Sequence, residues 1–256
     1  WLISSDVDPK NALEKFDVNL VYVPIQELID EYNKLSSFEI YDSLKDKKFD
    51  PKEVSKAERL YNAIKVLVKK YNLSGFTIRC FDLLGTLKTT ACLALSHFND
   101  EGIIATCEGD VPSMLGMYVA QKMLNEAAFQ CNPSRIDTKN NEILLAHCTI
   151  PCNICKSFVL DTHYESGIGV GIHGEVKEGE ATIFRLNSAL TECFVVVGTI
   201  KNNQYENKLC RTQIICNFPE LDKILKTPLG NHELIILGHH KKALVEYFES
   251  VGIKLI

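Results

Sequence analysis

An alternation of apolar periods between residues 76 and 147 constrains this chain more than any other feature. Phe76-Thr77-Ile78-Arg79-Cys80 is a short run with strand character, and Thr89 to Phe98 carries an apolar helical face. Gly102 to Cys107 reads as the next strand, Ser113 to Asn125 as the next helix and Glu142 to His147 as a further strand. Parallel neighbours need a crossover, and a helix is the usual one, so this order predicts a parallel, doubly wound sheet. A long helix precedes it. Asp50-Pro51 with Glu53 gives a start signal, and Ala57, Leu60, Tyr61, Ile64, Leu67 and Val68 then keep one apolar face. Val18 to Val23 reads as an earlier strand, with Pro24 opening a short helix.

The period changes after about residue 155. Apolar runs at 181–186, 193–200, 211–216 and 233–237 are separated by turn signals such as Gly179, Asn187 and Asn202-Asn203. They predict a mostly β region, a small barrel or sandwich, followed by a helix over 241–250. The expected fold is therefore α/β: a parallel doubly wound sheet domain over residues 1–158, then a mostly β C-terminal domain with a final helix over 159–256. The opening Trp1-Leu2-Ile3-Ser4-Ser5 reads as the end of a strand without an initiating Met, so a piece of a longer protein is expected.

Composition mainly excludes. Hydrophobic residues make up 46% and charged residues 24% of 256, as in ordinary globular chains. The formal charge is -5 with both signs mixed and no basic block, so a nucleic-acid partner is not expected. No apolar run has membrane-span length and the N-terminus lacks signal-peptide regions, so the expectation is no membrane partner and a cytoplasmic location. Ten cysteines, several inside apolar runs, fit buried thiols of a reducing compartment better than a disulfide framework. The run Gly167-Ile168-Gly169-Val170-Gly171 has neither a Walker lysine nor dinucleotide spacing, and no G-x-S-x-G elbow occurs.

Ligands of a parallel α/β sheet gather beyond the carboxyl ends of its strands. Asp82 follows the first strand, Glu108 and Asp110 the second, and His147 ends the third. A single carboxylate after a strand is more often a helix cap or a solvated loop residue. Together, carboxylates and an imidazole suit Mn²⁺, Fe²⁺, Co²⁺ or Zn²⁺. A competing group is His147, Cys148, Cys152 and Cys155, which contains one C-x-x-C pair. Structural zinc normally needs four ligands and often a second such pair, so chance clustering in a cysteine-rich chain is the plain reading. Spacing alone does not bring His232 to the carboxylates.

Several segments, in order, carry a resemblance. They are Ile78-Arg79-Cys80-Phe81-Asp82, Ala105-Thr106-Cys107-Glu108-Gly109-Asp110-Val111, Leu144-Leu145-Ala146-His147-Cys148, His163 to Gly167, Gly179 to Leu186, and Gly230-Asn231-His232-Glu233. Over nearly the whole chain this set resembles the second and C-terminal domains of the L-fucose isomerase and L-arabinose isomerase superfamily. The resemblance implies a metal-dependent aldose–ketose isomerase acting on a small sugar, a pentose or hexose, through an ene-diol. It also implies a homo-oligomer and Mn²⁺ or another divalent transition metal as cofactor. It makes Asp82 and Glu108 the acid–base pair, with Asp82, Glu108, His232 and His147 as metal ligands. Asp82 stands where a glutamate is usual, which withdraws the carboxylate by about 1.5 Å. A misplacement of that order can cost roughly 100-fold in rate. The alternative is a non-catalytic sugar-binding or regulatory relative with a degenerate metal site.

Overall fold

The computed structural model describes residues 6–35, 44 and 48–256. The strand end expected at residues 1–5 lies outside them. In chain order the elements are α1 (Pro9–Phe16), α2 (Ile25–Lys34), α3 (Pro51–Lys70), β1 (Gly75–Ile78), α4 (Phe81–Leu87), α5 (Cys92–Asp100), β2 (Ile104–Cys107) and α6 (Val111–Val119). A second group follows: β3 (Phe129–Asp137), β4 (Glu142–His147), β5 (Cys155–Asp161), β6 (Gly171–Val176), β7 (Gly179–Leu186), β8 (Glu192–Asn203), β9 (Thr212–Asn217), α7 (Asp222–Lys226), β10 (Glu233–Leu237), α8 (Lys241–Ser250) and β11 (Lys254–Leu255).

Local chemistry explains the helix starts. The Asp50 side chain accepts from the Lys52 N–H at 2.9 Å while Pro51 occupies the first turn of α3. Asp8 and Pro9 do the same for α1. In each case a carboxylate satisfies an orphan donor, and the proline has no donor to leave unsatisfied.

β1 and β2 pair in parallel, with Phe76 opposite Ala105 and Ile78 opposite Cys107. Side chains alternate across the pleat. Ala105 and Cys107 join the apolar cluster of α2, α3 and α5, whereas Ile104 joins Leu115 and Met117 of α6. This mixed α/β region was the expected one, but its sheet is smaller than expected. Glu142–His147, predicted as the third parallel strand, is β4, and it pairs antiparallel with β3 and β9. Among the described residues the parallel sheet therefore has two strands and is not doubly wound. Val18 to Val23, also predicted as a strand, makes no ladder.

Six strands, in the order β7, β8, β9, β4, β3 and β10, pair antiparallel into a closed barrel. β8 makes closure possible. It spans 12 residues, pairs with β7 over 193–200 and with β9 over 199–203, with a register shift between Ile200 and Asn202 inside the β9 ladder. Closure removes the open edges that a flat sheet of this size would present. Phe129, Ile143, Ile183, Phe194 and Ile214 pack in one core cluster, while alternate residues such as Phe184, Val195 and Leu234 pack with α6 and α8. The barrel thus confirms the mostly β reading of the C-terminal region and adds the earlier β3 and β4 to it. Among the described residues no helix is long and apolar enough to cross a membrane.

Candidate metal centre

The site forms where the carboxyl end of β2 meets the barrel. β2 ends at Cys107, and Glu108 follows with φ of 63°, a left-handed conformation uncommon outside glycine. Gly109 continues it with φ of 71° and donates its N–H to the Ile78 carbonyl at 3.1 Å. Holding a glutamate this way costs on the order of 1–3 kcal/mol, and such outliers cluster at functional sites. Asp110 then caps α6, accepting from the Ser113 N–H at 3.0 Å.

Two imidazoles from the barrel approach Glu108. His147, at the end of β4, places Nε2 at 3.8 Å from Glu108 Oε1, while its Nδ1 lies 2.7 Å from Thr149 Oγ1. His232, just before β10, is fully buried and places Nε2 at 3.5 Å from the same oxygen. The two rings are 5.4 Å apart and nearly perpendicular. His232 donates from Nδ1 to Asp110 Oδ2 at 2.8 Å, which leaves Nε2 buried without a hydrogen-bond partner. An orphaned ring nitrogen aimed at a carboxylate, with its other nitrogen fixed by a second carboxylate, matches the usual arrangement of a metal-binding histidine. Cys107 Sγ, Glu108 and His147 also form a set whose ligand atoms lie within 4.8 Å of one another.

Arg185 of β7 underlies this arrangement. It is fully buried, and its guanidinium forks onto Asp110 at 2.8 and 3.1 Å and also donates to Ser113 Oγ. A Cβ at Gly230 would stand 2.2 Å from Arg185 Nη2, so this turn requires glycine. Burial alone would raise the Asp110 carboxyl, but Arg185 and His232 hold it well below the usual range. Burial opposes the charge of Glu108 as well, and the two imidazoles hold it low. Burial would lower His232, yet Asp110 and Glu108 push it up to about 9. Next to it, Glu233 is driven up to about 8 by burial, which Arg185 and His232 only partly offset. In the metal-free protein a proton on His232 thus balances carboxylate charge, and a divalent ion would displace it.

Of the residues expected at the site, the structure brings Glu108, His147 and His232 together. Asp82 stands apart: it lies in the first turn of α4, is partly exposed, and meets Arg79 Nε at 3.2 Å. It lines a separate cavity of about 790 Å³ between residues 17–25, β1 and α6. Glu108 and His147 instead line a cavity of about 20 Å³ together with Cys80, Cys148, His163 and Glu165. The carboxylate and imidazole that approach each other thus face the smaller cavity. The competing zinc set does not assemble. Cys152 contacts Ser96 Oγ, Cys155 donates to the Pro151 carbonyl, and Cys148 faces Cys92 and Cys210. Cys107 and Arg185 were not singled out from sequence. Arg185 did leave a signal, since an arginine within Thr182-Ile183-Phe184-Arg185-Leu186 interrupts an apolar run and calls for a buried partner.

No protein-family model matches the chain. It is similar to sulfoquinovose isomerases. The protein from Alkalicoccus urumqiensis is 24% identical over 143 residues, which cover 54% of this chain and 32% of that protein. Those from Priestia aryabhattai and Priestia megaterium are 25% identical over 140 residues, covering 52% of this chain and 31% of theirs. The match thus spans about a third of the length of these curated relatives. It corrects the expected resemblance: the detectable relationship is to sulfoquinovose isomerase, not to the fucose and arabinose isomerases. A distant relationship to a sugar isomerase stands, together with a His/Cys/Glu set able to hold a metal ion.

Proposed function

We propose that this chain carries the metal-binding part of an aldose–ketose isomerase that acts on a small sugar. The observation behind the reading is the convergence of His147 and His232 on Glu108. The distant similarity to sulfoquinovose isomerases supports the reaction class. Glu108, His147 and His232 would hold a divalent transition metal, which when bound supplies a Lewis acid for a sugar carbonyl. Manganese is one candidate, and the nearby Cys107 sulfur shifts preference toward softer ions such as Zn²⁺ or Co²⁺.

Glu108 is the group we assign to proton transfer between neighbouring sugar carbons, because it is ionised and lies at the cavity wall. Asp110 and Arg185 are positioning residues: they fix the His232 ring and leave Nε2 facing Glu108. Asp82 has no part in the proton path in this arrangement. The cavity of about 20 Å³ has room for about one water, so a sugar requires its wall to open. That size, with the separation of Asp82, favours a second reading: a metal-holding, non-catalytic relative.

A panel of aldoses and ketoses incubated with Mn²⁺ separates the two. The isomerase reading expects interconversion of at least one sugar, reduced in Glu108→Gln by about 10²-fold or more. Retained metal without turnover of any sugar contradicts it and favours the second reading.

A further inference from the structure

Five cysteines line the small cavity beside Glu108: Cys80, Cys92, Cys107, Cys148 and Cys210. Two of them are much closer than side-chain packing requires. Cys80 Sγ and Cys107 Sγ are 2.9 Å apart. The backbone explains the approach. Ile78 is paired with Cys107 across the parallel ladder, and the chain then folds back so that the Cys80 N–H reaches the Ile78 carbonyl at 3.0 Å. The same carbonyl accepts from Gly109. One acceptor therefore ties the turn after β1 to the turn after β2 and directs both thiols to one point.

We propose that Cys80 and Cys107 form an oxidation site that closes to an intramolecular disulfide at the edge of the metal cluster. A disulfide needs about 2.05 Å between sulfurs, so closure requires them to move together by less than about 1 Å. Both residues are largely buried, but both face a cavity with room for about one water. Hydrogen peroxide, one oxygen atom larger than water, reaches the thiols with a small opening of the cavity wall. One thiol attacks the peroxide: an S–O bond forms, the O–O bond breaks, and the sulfur loses two electrons to give a sulfenic acid and water. The second sulfur then attacks the first. An S–S bond forms, the S–O bond breaks, and the hydroxyl leaves with the second thiol's proton as another water. Two thiols and one peroxide thus give one disulfide and two waters. The bond would lie one residue from Glu108 and would take up the Cys107 sulfur that now belongs to the cluster.

The test treats the folded, reduced 256-residue chain with hydrogen peroxide, quenches with catalase, then denatures, alkylates and maps peptides by mass. The expected result is a loss of two hydrogen masses in a cross-linked pair of peptides containing Cys80 and Cys107, reversed by dithiothreitol. Cys216, buried in the barrel, serves as the internal control and stays alkylatable. Cys80→Ser is expected to abolish the cross-link. The mapping of the unsubstituted protein decides the matter even where that variant fails to fold. Cross-links confined to other pairs such as Cys148 with Cys210, or full alkylation of Cys80 and Cys107 after peroxide, would overturn the proposal.

Discussion

The barrel and the two-stranded α/β region contribute to one site in different ways. The barrel supplies His147, Arg185 and His232 from strands or strand ends, all buried and all tied to hydrogen-bond partners. The α/β region supplies Glu108 from a left-handed turn, while its Asp82, on an open helical turn, lines a separate cavity. One region fixes its side chains by packing, while the other offers carboxylates whose position depends on loop geometry. Where the two meet, Asp110 joins them: it caps α6 on one side and accepts from Arg185 and His232 on the other.

The largest effect on stability is expected from breaking that joint. Arg185→Leu leaves Asp110 buried without its guanidinium, and removing one partner of a buried pair costs about 3–5 kcal/mol. Urea unfolding of the metal-free protein reads this directly. A loss below about 1 kcal/mol would mean that the fork carries little of the weight assigned to it.

What the sequence revealed follows the same division. Glu108 and His147 were visible because each terminates a run of strand-forming residues, a local signal. His232 was reached only through resemblance, because its contact with Asp110 spans 122 residues and leaves no trace in spacing. β3 was not among the expected strands, and Asn132-Pro133-Ser134 interrupts its strand pattern. In the barrel, Pro133 sits at a register shift, where its missing donor is tolerated. With β3 unseen, β4 was assigned to the parallel sheet. Closure through β8 and β9 was equally invisible, since a ladder between distant segments has no local period.

A smaller effect comes from pH and sharpens the role of the buried charges. The His232 pKa is raised from 6.5 to about 9, so its contribution is fully present below pH 6.5 and lost as pH rises through about 9. The full loss is on the order of 3 kcal/mol. Glu233 is raised from 4.5 to about 8 by burial, so its contribution is also lost with rising pH, between those values. Glu108 and Asp110 act oppositely: their depressed pKa values stabilise above their ordinary 4.5 and 3.8, and that stability is lost on acidification. The metal-free protein is therefore expected to lose stability between pH 6.5 and 9, with Glu233→Gln removing the part that ends near pH 8. A flat urea midpoint over that range contradicts the assignment.

The smallest effect is expected at Asp82. It is partly exposed and its partner Arg79 more so, and such surface substitutions usually change stability by no more than about 0.5 kcal/mol. Asp82→Asn should leave both thermal stability and metal content unchanged. A loss of metal there would move Asp82 into the site and narrow the contrast between the two regions.

The central claim is that barrel histidines and the Glu108 turn together hold one metal ion. Calorimetric titration of Co²⁺ into the metal-free protein tests it most directly, comparing the unsubstituted chain with His232→Gln and Glu108→Gln. The expected result is one site per chain, with affinity weakened by about 10-fold or more in each variant. Equal affinity in all three proteins, with both variants folded, would contradict the account.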